Sequence, residues 1–212
     1  MTQRLKIIFD SLPNCDIFAD IGCDHGYVAK AMLDFGKAKK VIISDVSAKC
    51  LEKAEQLLSN EIESGRAESK VSNGFDKIEH CSVALIAGMG GEEIISILQK
   101  AKFLPEKLIL QPMKNCDKVR YFVVNLGYKI EKDFLFKAGG KFYDLISLTK
   151  GKDDLTDEQA EFGKDNLKGN NPYFAEMISL RLDKYRQYLK EMPEGEKKKE
   201  LNAQIEKLKK YV

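Results

Sequence analysis

The stretch that most constrains this chain is Asp20-Ile21-Gly22-Cys23-Asp24-His25-Gly26, which directly follows the largely apolar run Asp16-Ile17-Phe18-Ala19. A chain that leaves a strand at Asp20 and enters a helix near Gly26 has to turn sharply. Glycines at 22 and 26 let its backbone approach a ligand where a Cβ would collide. The segment therefore reads as strand, loop and helix, the opening of a βαβ repeat. Its spacing is D-x-G-x-D-x-G. The G-x-G-x-x-G of dinucleotide sites is absent, and a pyrophosphate beside Asp24 would meet like charge. By itself the same pattern also suits a plain tight turn in any α/β protein.

The unit recurs along the chain. Short apolar runs at 16–20, 41–45, 68–72, 83–87 and 107–111 predict five strands, separated by helical stretches near 26–36, 47–64, 91–101 and 116–126, with a further helix near 2–11. Residues 129–136 and 142–148 flank Ala138-Gly139-Gly140 and predict an antiparallel hairpin. Parallel strands in the order 3-2-1-4-5 followed by such a pair form the α/β plan of a class I methyltransferase: a Rossmann-like seven-stranded sheet with an antiparallel last strand. After Lys150 the pattern is helical only. Thr156-Asp157-Glu158-Gln159 is a capping box, Gly169-Asn170-Asn171 is expected to stop that helix, and Pro172 suits a first helical position. Ile178, Leu182, Tyr185, Leu189 and Met192, then Leu201, Ile205, Leu208 and Val212, make two heptad-like seams joined at Pro193-Glu194-Gly195. The expectation is a methyltransferase-type domain over 1–150 and an α-helical coiled-coil hairpin over 151–212.

Composition closes off several other classes. No apolar run reaches the ~18 residues of a membrane span, and the N-terminus lacks a secretory h-region. The 5 cysteines (Cys15, Cys23, Cys50, Cys81, Cys116) are dispersed without a C-x-x-C pair, which points to reduced thiols in the cytoplasm. With 2 histidines, His25 and His80, no metal site is expected. Residues 151–212 carry 13 basic and 13 acidic side chains, so global charge does not point to nucleic acid and only local clusters could.

The motif residues fit S-adenosyl-L-methionine, which has an ammonium, a carboxylate and a sulfonium but no phosphate. Asp20 or Asp24 suits the ammonium, and helix amides after Gly26 suit the carboxylate. Gly22, Cys23 and Gly26 line the turn. Asp45, about 20 residues beyond the glycines, is placed to accept from a ribose diol; it could equally cap the next helix, a role Ser47 can take instead. Val46 and Ser47 adjoin it. Asn73-Gly74 is either an ordinary turn or an adenine-side contact. Ala87-Gly88-Met89-Gly90-Gly91 follows the fourth strand at the switch point of the sheet, and the Asp/Asn-Pro-Pro-Tyr motif of many amino-methyltransferases is missing there. Gln111 ends the fifth strand and has the donor and acceptor needed to read a base edge; a residue that merely solvates a loop is the other reading. His25 reads either as a lone structural histidine bonded to a backbone carbonyl or, because it lies beside the expected methyl donor with Tyr27 nearby, as a functional one, and His80 reads as surface.

Asp20 to Tyr27, Asp45-Val46-Ser47, Asn73-Gly74, Ala87 to Gly91 and Leu108 to Pro112 together resemble one family, the bacterial tRNA (adenine-22-N1)-methyltransferases. Phe162-Gly163 and Asn171-Pro172 extend the resemblance over almost the whole chain. Met113 departs from it, since the family is expected to show Asn there. The resemblance implies a cytoplasmic enzyme that methylates N1 of an adenine, position 22, in the D-arm region of tRNA. Asp24 and Asp144 are then candidates to stabilise the developing positive charge, with His25 and Tyr27 orienting the base and Gln111 reading it. Lys197, Lys198, Lys199, Lys207, Lys209 and Lys210 make the hairpin a candidate grip on RNA, although a solvated helix face is the commoner reading for any single one of them, and a monomer is expected. The alternative is a methyltransferase of protein or small-molecule substrates whose hairpin is a dimerisation arm.

Overall fold

A computed structural model describes residues 1–212. The elements are α1 (Gln3–Ser11), β1 (Cys15–Ile21), α2 (Tyr27–Asp34), β2 (Ala38–Asp45), α3 (Ala48–Leu57), α4 (Ser59–Glu63), β3 (Ala67–Val71), β4 (Val83–Met89), α5 (Gly91–Lys100), β5 (Lys107–Pro112), α6 (Cys116–Asn125), β6 (Tyr128–Ala138) and β7 (Lys141–Lys150). The seven strands form one sheet in the order β3-β2-β1-β4-β5-β7-β6. Strands β1 to β5 pair in parallel, and β7 runs antiparallel to both β5 and β6. This is the methyltransferase Rossmann-like arrangement read from the sequence.

Helices cover both faces of the sheet, so the central strands are apolar on both sides and read as continuous runs. Alternate residues go to opposite layers: Phe18, Val83 and Leu85 join a core with Ile8, Met32 and Leu51, whereas Ala19, Ala84 and Ile86 join one with Ile94 and Val119. The β6–β7 hairpin turns at Gly139 and Gly140, with Ala138 opposite Lys141. Their φ values of +54° and +76° are those a two-residue type I′ turn demands. The helix expected over 47–64 is broken at Leu58, where φ −106° and ψ 18° end α3. Leu58 is fully buried, and with Ala54 it packs against Gly26 at the start of α2.

Beyond β7 come α7 (Asp157–Phe162), a 3-10 turn (Asn166–Lys168), α8 (Pro172–Glu191) and α9 (Glu196–Lys209). The Thr156–Gln159 capping box forms, and Asn171 caps α8 with Pro172 as its first residue. The helix expected to run to Gly169 stops instead at Phe162. Gly163 adopts φ +86°, and a Cβ there would lie 2.9 Å from Asp133 Oδ1 and 3.0 Å from Arg120 Nη2. Those two side chains are the reason. Arg120 is fully buried, donates to both Asp133 oxygens at 2.8–3.0 Å, and also donates to the Ala160 carbonyl. Asn166 Oδ1 accepts from the Leu135 amide, and Asp165 accepts from the Asp133 amide. Residues 151–168 are thus bonded into the sheet edge rather than separated from it at 150, and α8 and α9 alone form the hairpin. Ile178, Leu182, Ile205 and Leu208 of the expected seams are buried, joined by Phe162 and Phe174. Val212 is exposed, and Tyr211 takes its place, its ring 5.1 Å from Phe162 and 5.4 Å from Phe174. No helix is long and apolar enough to cross a membrane.

Candidate functional site

The carboxyl ends of β1, β2, β4 and β5 surround the switch point of the sheet, where α/β folds place ligands. The turn after β1 is built by three left-handed excursions at alternate positions: Gly22 (φ +70°), Asp24 (φ +49°) and Gly26 (φ +69°). Asp tolerates this region better than most non-glycine residues. The amides of Gly22 and Cys23 donate to the Ser44 carbonyl at 2.8 and 3.0 Å, which locks the loop to β2. Gly26 is the N-cap of α2 and has no side chain to spend on the helix amides.

Asp20 is the penultimate residue of β1, with 5% exposure. Burial pushes its carboxyl up to about 7, against the Ala29 amide hydrogen bond that favours the charged form and with Asp45 adding to the rise. Asp45 Oδ1 accepts from the Ser47 amide at 2.8 Å, and the Ser47 hydroxyl caps α3 by accepting from Cys50. Capping therefore falls to Ser47, and the second oxygen of Asp45 is left for a ligand. Asp24 Oδ2 lies 2.8 Å from His25 Nδ1. His25 Nε2 sits 3.5 Å from Lys53 Nζ, and the imidazole stacks on Tyr27 with centroids 5.6 Å apart and planes 3° from parallel.

Of these groups, Asp24, His25, Tyr27 and Asp45 line two cavities that meet at Gly22. The larger, about 800 Å³, includes Gly22, Cys23, Asp24, His25, Tyr27, Ala87 and Tyr143. The smaller, about 180 Å³, includes Asp45, Val46, Asn73, Gly74, Met89 and Glu93. Met89 separates them: its Cε lies 2.0 Å from where a Gly22 Cβ would stand. Methionine is unbranched and adaptable, so this partition is a soft one. The Asp24 carboxylate on one side, the Asp45 carboxylate and a turn on the other, and a backbone stripped of Cβ between them suit a ligand such as S-adenosylmethionine. No group of three or more His, Cys, Asp or Glu side chains stands where it could hold a metal ion.

Several sequence expectations land elsewhere. Gln111 is fully buried behind the cavity wall. Its Oε1 accepts from Arg4 Nη1 at 2.5 Å and its Nε2 donates to the Pro112 carbonyl at 3.1 Å, so neither end is free to read a base. Asp144 is turned away from the cavity that its neighbour Tyr143 lines, because successive strand residues face opposite sides, and it pairs with Arg120 at 2.5 Å. Ser47 serves its helix, Gly88 lies under the Arg4 guanidinium, and Gly90 is the N-cap of α5. Four of the six hairpin lysines are paired within the protein: Lys198 with Glu194, Lys207 with Glu161, Lys209 with Glu206 and Lys210 with Glu158. The residue that sequence reasoning missed is Arg4. Only its i, i+4 neighbours are legible in the sequence, and its partner Gln111 is 107 positions away.

The family model described as "Methyltransferase domain" matches residues 1–146. A Mycoplasma pneumoniae protein named "Putative tRNA methyltransferase" is 31% identical over 153 residues, 69% of this chain and 70% of that one. The Bacillus subtilis tRNA (adenine(22)-N(1))-methyltransferase is 25% identical over 195 residues, 89% of this chain and 81% of that one. A Streptococcus pneumoniae structure described as "a putative tRNA (m1A22) methyltransferase" superposes with a TM-score of 0.91 at 25% identity, covering 100% of this chain and 99% of the other. The same protein in complex with S-adenosyl-L-methionine superposes at 0.87. The chain belongs to the methyltransferase family, in the group of bacterial tRNA methyltransferases.

Proposed function

We propose that the chain transfers a methyl group from S-adenosylmethionine to N1 of adenine 22 in the D-arm region of tRNA. The observation that carries this reading is the end-to-end likeness to the Streptococcus pneumoniae protein, helical hairpin included. When bound, the cofactor would supply an electrophilic methyl group on a sulfonium: the free lone pair of adenine N1 would take that methyl in line as the C–S bond breaks, and S-adenosylhomocysteine would leave as a neutral thioether. Asp45 accepts from the ribose hydroxyls, and Val46, Asn73 and Gly74 flank the smaller cavity for a flat ring. Asp20 and Asp24 take the ammonium. Cys23 and Ala87 supply small side chains in the wall of the larger cavity, around the reacting atoms.

On the acceptor side, the stacked His25–Tyr27 pair offers a flat surface for a base turned out of its helix, at an unstacking cost of a few kcal/mol. Asp24, held by His25, sits where it stabilises the positive charge that the base acquires. N1 carries no proton before attack, so positioning provides most of the acceleration, worth roughly 7–11 kcal/mol when two reactants are well aligned. Gln111 acts through Arg4, and Asp144 holds Arg120, not the base. Lys197 and Lys199 on α9, which make no ion pair, are the hairpin lysines left for the RNA backbone. The protein acts as a cytoplasmic monomer, which sedimentation with and without tRNA checks.

Methyl transfer from labelled S-adenosylmethionine to a tRNA transcript tests the reading. Label is expected on a transcript with adenine at position 22 and lost when that base is guanine. Equal labelling of the two would overturn the assignment of the acceptor.

A further inference from the structure

Arg4, in the first turn of α1, is the one Lys or Arg side chain in the wall of the larger cavity, where Asp24 is the one Asp or Glu. Its surroundings are unlike those of the other buried or half-buried arginines. Arg120 and Arg181 each pair with a carboxylate, whereas the single hydrogen bond of Arg4 goes to the neutral Gln111 carboxamide. Its guanidinium lies over the Tyr143 ring, 5.8 Å from the centroid, and over Gly88, where an added Cβ would come within 3.3 Å of Nη1. Gln111 is itself fixed, because its Nε2 donates to the Pro112 carbonyl and the whole side chain is buried. The result is an aimed cation: one N–H anchored to a buried acceptor, an aromatic face and a bare glycine holding the plane, and the rest of the fork and its charge uncompensated at the cavity wall.

We propose that Arg4 is an oxyanion-binding residue of this cavity, with Gln111 as the residue that positions it. A planar guanidinium with free N–H groups matches a carboxylate or a phosphate in a two-bond fork. The inference rests on the methyltransferase reading, which supplies two such groups: the carboxylate of the cofactor's amino-acid end, and the phosphodiester of the nucleotide presented for methylation. The first would complete a zwitterion clamp, with Asp24 on the ammonium and Arg4 on the carboxylate. The second would hold the acceptor strand at the mouth of the cavity.

Titration calorimetry with S-adenosylhomocysteine and with 5′-methylthioadenosine, which lacks the amino-acid end, distinguishes the two sources when combined with tRNA methylation kinetics. If the carboxylate is the ligand, Arg4→Gln weakens S-adenosylhomocysteine by about tenfold or more and leaves 5′-methylthioadenosine within about twofold. If the phosphate is the ligand, both small molecules bind normally and KM for tRNA rises by about tenfold or more. Arg4→Lys, which keeps the charge but loses the fork, is expected to recover part of either loss. Gln111→Glu, which gives Arg4 a carboxylate of its own, is expected to reproduce the Arg4→Gln defect with Arg4 in place. The proposal is overturned if Arg4→Gln changes no binding or kinetic constant. It is equally overturned if both small molecules weaken together with a lowered Tm, the signature of a merely structural side chain. Wild-type protein that binds S-adenosylhomocysteine but methylates no tRNA would refute the substrate reading alone and leave the carboxylate arm readable.

Discussion

Asp20 gives the sharpest quantitative test of the site. Its carboxyl is buried and raised from 3.8 to about 7, so the folded protein holds this proton more tightly than the unfolded chain does. The stability this contributes is complete below pH 3.8, declines as pH rises and is gone above about 7. Three units at ~1.36 kcal/mol each make the swing about 4 kcal/mol. Asp20→Asn removes the titration while keeping an oxygen to accept from the Ala29 amide. Urea denaturation at intervals from about pH 5 to 8 should show the wild type losing stability relative to the variant as pH rises. Cofactor binding should run the other way, because an ammonium prefers the ionised carboxylate. Affinity for S-adenosylhomocysteine should fall by roughly tenfold per pH unit below about 7 in the wild type, and in Asp20→Asn it should be weak and flat with pH. Parallel stability curves for the two proteins would refute the claim that Asp20 is a buried acid with a raised pKa, and undiminished binding by Asp20→Asn would remove it from the cofactor site.

Arg120→Ala leaves Asp133 buried without its partner and should cost about 3–5 kcal/mol in urea denaturation; a loss under about 1 kcal/mol would show that the network is not integral. Removing residues 170–212, which deletes α8 and α9 but keeps the bonded segment before them, should abolish tRNA methylation while calorimetry still detects cofactor binding. An unchanged KM for tRNA would exclude the hairpin from recognition. Asp24→Asn should lower the single-turnover methylation rate at saturating tRNA, and a wild-type rate would exclude its charge from catalysis. Lys197→Gln combined with Lys199→Gln should raise KM for tRNA and flatten its salt dependence by about one unit of slope per lysine; the same change in Lys207 and Lys210, which pair with Glu161 and Glu158, should act on stability instead.

Local features of this fold are readable from the sequence because their causes are local. The turn after β1 needs left-handed backbone at positions 22, 24 and 26, and the residues found there are Gly, Asp and Gly. The parallel strands reveal themselves through continuous apolar runs, and the β6–β7 turn through adjacent glycines. The motif residues that line the two cavities meeting at Gly22 are legible for the same reason. Interactions that join distant segments are not. Arg120 looks like a surface residue of an amphipathic helix until Asp133 and the Ala160 carbonyl surround it. Gly163 looks like an ordinary position in a continuing helix until Arg120 and Asp133 leave no room for a Cβ. Gln111 reads as a free base-contacting amide because nothing near it announces that Arg4 will occupy its oxygen. Asp144 is set apart from Tyr143 by strand alternation, but only once the face of β7 turned toward the cavity is known.

Mass-spectrometric mapping of tRNA after incubation with the protein and S-adenosylmethionine is the decisive measurement for the assigned reaction. One added methyl group per tRNA is expected, on N1 of adenine 22, absent when Asp20 is replaced by Asn. A methyl group at another base or another ring atom, or unmodified tRNA from protein that binds the cofactor, would contradict the assignment.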